Sequence, residues 1–286
     1  MLLVLRLCAT ATVGTTVAIV AVLLADALRF FRAVSVVDFL TGTVWTALFH
    51  NPEFGVLPLL SGTVLVAVGA LLVATPLGIA SAVYLSEYAP RKVRAVVKPT
   101  LELLAGIPTV VYGYFALNFV TPHVLRPIFG DDVPVFNAAS AAIVVGLMTL
   151  PTISSLTEDA FSAVPSSLRE GAFGLGAERH TVAFRIVVPA ALSGIGSAVL
   201  LGVSRAVGET MAVAIAAGST PTLTLNPLQS IQTMTGFIAQ VGSGDAPTGS
   251  IEYKSIFAVG LMLFAVTFAF NTLSRSLVRR HRQVYQ

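Results

Sequence analysis

The sequence predicts an all-α polytopic membrane protein with six transmembrane helices, and three observations predict it. Of its 286 residues, 55% are hydrophobic and only 11% are charged, against roughly 25% charged in a soluble domain. The apolar residues gather into runs of about 20, the length needed to cross a bilayer core. The basic residues gather between alternate runs. The chain reads as a single transmembrane domain over 1–286, with a first span at 7–28 and a core bundle at 56–273.

The elements follow in order. Residues 7–28 form the first span. Arg6 before the run and Ala25-Asp26-Ala27 at its end also fit a signal peptide, but the apolar stretch exceeds an h-region of roughly 7–15 residues. A mixed external segment runs to Gly55; its Phe39, Leu40, Trp45, Leu48 and Phe49 suggest a piece lying at the membrane interface, where Trp is favoured. The second span covers 56–84, with Pro76 and Gly78 inviting a kink. A loop at 86–98 then carries Arg91, Lys92, Arg94 and Lys98.

The third span covers 101–120. Glu102 opens it, either as a gate carboxylate or as a first-turn acid favoured by the helix dipole. A short loop at 121–137 leads to the fourth span, 138–153 and a turn or two beyond, with Glu158 and Asp159 expected to cap its end. A polar segment over 161–186 precedes the fifth span, 190–217. In the outer loop, 218–254, Leu228, Ile231, Thr235, Ile238 and Val241 recur at helical spacing, which suggests an interfacial helix. The sixth span, 255–273, ends in a basic tail.

Charge placement sets the orientation. The tail (Arg275, Arg279, Arg280, Arg282), the 161–186 segment (Arg169, Arg179, Arg185), the 86–98 loop and Arg6 put twelve basic residues on one side. Arg29, Arg32, Arg126 and Lys254 put four on the other. The positive-inside rule places both termini and the 161–186 segment in the cytoplasm of a multi-pass cell-membrane protein. The net charge of +3 is thus a topology signal; membrane lipid is the expected environment, and no nucleic-acid partner is.

Several chemistries are excluded. One cysteine, Cys8, allows no intrachain disulfide and no cysteine-built metal site. The four histidines are scattered, and no metal is expected. The lysines, Lys92, Lys98 and Lys254, stand in no phosphate-cradling G-x-x-x-x-G-K-[ST] context. No G-x-S-x-G turn marks a hydrolase. No catalytic residue is assigned and no enzyme activity is expected.

Two stretches carry the functional signal. The first is EGAFGLGAERHTVAFRIVVP, residues 170–189. Glu170, Gly171, Ala172, Gly174 and Gly176 open it, and Ile186 and Pro189 close it. A short helix, a left-handed break at Gly176 and a resumed helix would make a lever on which a motor outside the membrane can push. Pro189 suits the first turn of the next span. The alternative is an ordinary polar connection.

The second is Ser204-Arg205-Ala206-Val207-Gly208-Glu209-Thr210 in the fifth span. A charge at bilayer depth costs at least about 2.5–3.5 kcal/mol and faces a partner or a water-filled path. On a continuous helix Arg205 and Glu209 share a face, and Arg205 lies roughly 24 Å along the axis from Pro189. The guanidinium fork suits an oxyanion, with Glu209 pairing to Arg205 in its absence; a purely structural pair is the other reading. Ala190, Gly194, Ala198, Gly202 and Ala206 form a small-residue ladder on this helix, a surface for close packing.

The 170–189 pattern resembles the cytoplasmic "EAA" loop of ABC-importer permeases, with Gly171 and Val188 as departures. Together with LLAGIPTVVYG at 103–113, GAFGLG at 171–176 and SRAVGETMAV at 204–213, nearly the whole chain resembles the PstC-type permease subunit of phosphate ABC importers. The resemblance implies a type I permease fold with cytoplasmic coupling helices, and phosphate passage by way of Arg205 and Glu209, with Ser204 and Thr210 beside them. It also implies a sister PstA-type permease, a PstB-type ATPase dimer that holds ATP and Mg, and an extracytoplasmic phosphate-binding protein. No cofactor is expected on this chain. A permease for sulfate or molybdate is the alternative cargo, and an ion-coupled secondary transporter the alternative class.

Overall fold

The computed structural model describes the backbone of residues 1–280 and the side chains of residues 1–272. Among the described residues, four helices are each long and apolar enough to cross a membrane: Leu2–Phe31, Leu57–Tyr88, Ala138–Ser162 and Ile251–Thr272. Two further crossings are bent pairs, Arg91–Ala105 with Thr109–Phe129 at 91° and Arg179–Ala190 with Leu192–Gly208 at 69°. Counting each pair once gives the expected six. The side chains of Arg275, Arg279, Arg280 and Arg282, used above for orientation, lie outside the described residues.

The first span stands almost free of the bundle. Only Ala27 and Phe30 are buried, and its packing is against the sixth span. Its threonines Thr12, Thr15 and Thr16 each donate to the carbonyl one turn back, which satisfies hydroxyls that lipid cannot. Beyond it the external segment folds inward, contrary to the interfacial expectation. Trp45 is 2% exposed and packs edge-on against Phe39, Phe54 and Phe237. The backbone there is tight: a Cβ on Gly42 would meet Gly55 Cα at 2.6 Å, so two glycines let the chain cross itself. Phe49, by contrast, remains exposed.

The fourth span is the axis of the bundle, packed on both the second and the fifth. Asn137 starts it: its Oδ1 accepts from Ser140 N–H at 2.7 Å, and its Nδ2 donates to Thr121 Oγ1 at 3.1 Å. The small-residue ladder of the fifth span seats here. A Cβ on Gly194 would collide with Ala160, and one on Gly202 would come within 2.8 Å of Ile153.

Three boundaries differ from expectation. The third crossing starts at Thr109, not 101, because Gly106-Ile107-Pro108 ends the preceding helix and turns the chain. Residues 91–105 are therefore one amphipathic elbow helix that carries both the basic cluster and Glu102. The third crossing also runs on to Phe129 through what was expected to be loop. The fifth span is broken, since Glu209 is extended (φ −66°, ψ 132°) between Leu192–Gly208 and Met211–Ala216.

The outer loop contains a helix at Met234–Gln240, capped by Thr233 Oγ1 accepting from Gly236 N–H. It is not interfacial. Met234, Thr235, Gly236 and Phe237 are buried, and Leu228 lies outside the helix.

Candidate functional site

The coupling segment has the shape its glycines require. A helix at Ser166–Gly174 contains Glu170, Gly171, Ala172 and Gly174. Gly176 then takes φ +83°, the left-handed region that favours glycine. Helix resumes at Arg179 and runs to Ala190. Within that run residues Ala183–Val187 adopt the wider π pitch just before Pro189, which relieves the clash and missing donor a proline brings. Pro189 thus closes the coupling segment, ahead of the 69° bend, and does not open the membrane helix. Ile186 is half-buried against the core that also holds Ala172.

One side of this segment is fastened and the other is bare. Arg169 donates to the carbonyls of Phe161 at 2.8 Å and Val164 at 2.7 Å. These lie at the end of the fourth span, where carbonyls have no helical partners. Arg169 also pairs with Glu87 at 3.1 Å, at the end of the second span. Outward, Leu175 is 91% exposed, with Phe173 and Phe184 exposed beside it and Glu170 free of any ion pair among the described residues. An exposed apolar patch rimmed by charge is a docking surface.

Arg205 lies about 20 Å along its helix from Leu192, half-buried. Its polar contact is to the fourth span: one guanidinium nitrogen donates to Thr152 Oγ1 at 3.3 Å. Among the described residues it has no carboxylate partner. The expected Arg205–Glu209 pair does not form, because the helix that would stack them ends at Gly208. Glu209 instead accepts from Ala212 N–H at 3.1 Å and so caps Met211–Ala216. Its own carbonyl accepts from Thr235 Oγ1 at 2.8 Å.

The neighbours divide. Ser204 donates to Asn271 Oδ1 on the sixth span at 2.8 Å, and Thr210 folds back onto the Gly208 carbonyl at 3.2 Å. Glu102 is exposed in the last turns of the elbow helix, far from any first turn, with no ion pair among the described residues. Thr152, Asn271 and Arg169 are the polar partners that sequence reasoning passed over. Arg169 alone carried a signal, as a charge one residue ahead of the Glu170 pattern.

Among the described residues, the arrangement offers an accepting anion a charged fork with most of its N–H donors free. A guanidinium has five such donors and no acceptor, and Thr152 engages one nitrogen.

Comparison with known proteins agrees with this geometry. A probable ABC transporter permease protein of Bacillus subtilis, YqgH, is 36% identical over 96% of this chain and 89% of its own length. The phosphate transport system permease protein PstC of Mesorhizobium japonicum is 32% identical over 85% of this chain and 78% of its own. PstC 1 of Mycobacterium tuberculosis is 34% identical over 79% and 73%. Among solved structures, a bacterial alginate ABC transporter matches 97% of this chain and 94% of its own at TM-score 0.68 and 16% identity. The MetNI methionine ABC transporter, inward facing, matches 80% and 94% at TM-score 0.59 and 18% identity; both establish the fold. The family model for the binding-protein-dependent transport system inner membrane component matches residues 74–283, and the chain belongs to that family.

Proposed function

We propose that this chain is the membrane-spanning permease subunit of an ATP-driven importer of inorganic phosphate. The observation that carries the reading is Arg205, a half-buried guanidinium inside a membrane span with no carboxylate among the described residues to neutralise it. A charge left open at that depth is costly unless it faces a path or partner. The PstC names of the relatives and the RAVGETMA element at 205–212 support phosphate as the anion.

In this reading a PstB-type ATPase dimer docks on the exposed face around Leu175 and holds ATP and Mg; no cofactor is resident in the chain. A PstA-type permease completes the path, and an extracytoplasmic phosphate-binding protein delivers the anion. Both termini and the coupling segment lie in the cytoplasm, and 1–286 acts as one domain. Closure of the ATPase dimer pushes on 166–190, and the bundle passes from inward-open to outward-open. Arg205 then offsets the anion's charge as its water is lost. Glu102, exposed near the C-terminal end of the elbow helix, is given no gating step.

The test is ATP hydrolysis by the assembled complex in proteoliposomes, with binding protein and either phosphate or sulfate. Phosphate stimulates it and sulfate does not; the reverse makes the protein a sulfate permease. Arg205→Gln lowers uptake about tenfold to a hundredfold, the loss expected for one charge-assisted contact of about 1.5–3 kcal/mol, with the complex still assembled. Loss of assembly in that variant would make Arg205 structural.

A further inference from the structure

The elbow helix, Arg91–Ala105, is held to the protein in an unusual way. It buries no residue. Its inward side is the half-buried stripe Val93, Arg94, Val97, Lys98 and Leu101, while Val96 and Leu103 face out. Arg94 and Lys98 are one turn apart on one face. Both reach Glu158 of the fourth span, Arg94 in close contact and Lys98 at 3.2 Å, with Lys98 also 3.8 Å from Asp159.

Glu158 is 1% exposed. A carboxylate that deep is strongly destabilised if its cations are withdrawn, so the joint between elbow and bundle is ionic as well as apolar. The expectation that Glu158 caps the helix end therefore understates it. The carbonyls at that same end, Phe161 and Val164, hold Arg169 of the coupling segment. Both the lever and the elbow are thus anchored on one helix end.

The elbow continues through Gly106–Pro108 into the third crossing, and Tyr112 Oη donates to the Leu104 carbonyl at 2.8 Å across that bend, which ties the two together. Gly113 lies against Met211–Ala216: a Cβ on it would meet Ile215 at 2.8 Å and the Ala212 carbonyl at 3.2 Å. That short helix is cut off from the rest of the fifth span by the extended Glu209. A push on the lower fifth span is therefore not carried rigidly to its outer piece, whereas the third crossing packs directly on it.

We propose that Glu158 is a positioning residue which, through Arg94 and Lys98, makes lever, fourth-span end, elbow and third crossing move as one body. The outer piece of the fifth span then follows the third crossing. This rests on the reading of 166–190 as the lever of an ATP-driven importer.

The experiment uses the whole complex in proteoliposomes and reads ATP hydrolysed per anion imported. Glu158→Gln keeps the side-chain shape and removes the charge; it raises that ratio at least threefold, and Glu158→Asp stays near wild type. An unchanged ratio in Glu158→Gln overturns the proposal. In a Cys8→Ser background, Arg94→Cys with Glu158→Cys also raises the ratio, and joining the two thiols with a short bis-methanethiosulfonate restores it. If the link instead arrests import, the joint must open in each cycle and the proposal fails. Should Glu158→Gln not assemble, the cross-linked pair decides alone. The ratio is read with whichever oxyanion the wild-type complex imports, so a mistaken cargo leaves this test intact. Absence of any ATP-driven import by wild type would sink the proposed function and this inference with it.

Discussion

Glu209 shows how one backbone angle reassigns a side chain. A continuous helix would set it one turn above Arg205, but its extended ψ of 132° turns it to the N-terminus of Met211–Ala216, where Oε1 takes the Ala212 N–H. The contact Glu209 makes here is that of an oxygen acceptor. Glu209→Gln keeps that acceptor and retains anion uptake within about twofold. Glu209→Ala loses a cap of about 1 kcal/mol and lowers both uptake and thermal stability. Uptake in proteoliposomes and a thermal shift of the purified complex check this; a Gln variant as impaired as Arg205→Gln would return the charge to the path. Arg205 was legible in the sequence because a charge inside an apolar run has few explanations. Thr152 was not, since a threonine in a span usually bonds its own helix, and only the fold brings it across to Arg205. Burial of Glu158 was equally hidden, because its two cations lie about sixty residues earlier in the chain.

At the scale of elements, the coupling segment depends on its one glycine of positive φ, a conformation that other residues rarely adopt. Gly176 has φ +83° and nothing within 4 Å of the position a Cβ would take, so space is not the constraint and backbone is. Alanine there costs about 1–2 kcal/mol, and proline, fixed near −65°, cannot adopt the turn at all. Gly176→Ala therefore weakens uptake mildly. Gly176→Pro lets ATP hydrolysis continue while uptake falls at least tenfold, measured side by side in the same vesicles; normal uptake with proline would remove the lever from the account. This break was readable from glycine spacing. The elbow was not: the LELL run at 101–104 has the composition of a membrane span, and only Pro108 marks that it ends a surface helix. The outer helix misled for a related reason, since helical spacing of Ile231, Thr235 and Ile238 does not say whether the apolar face meets lipid or protein. Here Met234 N–H bonds to Thr63 Oγ1 of the second span, and the segment is inside.

Across the whole molecule, the elements that share an end of the bundle are fixed by contact as well as by charge counting. Glu87, the basic elbow, Glu158 and Arg169 meet at one end. The turn at Gly130–Asp132 follows the other end of the third crossing, some 21 residues and about 30 Å away from Thr109. The positive-inside rule assigns the first end to the cytoplasm, and a charged thiol reagent tests that directly because it does not cross the bilayer. In a Cys8→Ser background, Glu178→Cys, exposed just past the Gly176 turn, reacts with an impermeant maleimide only in inverted vesicles. Asp131→Cys, exposed beside Gly130, reacts in intact spheroplasts. The opposite pattern would place the exposed Leu175 face outside the cell, away from ATP. Labelling of both positions from one side would mean that the fourth span, Ala138–Ser162, does not cross.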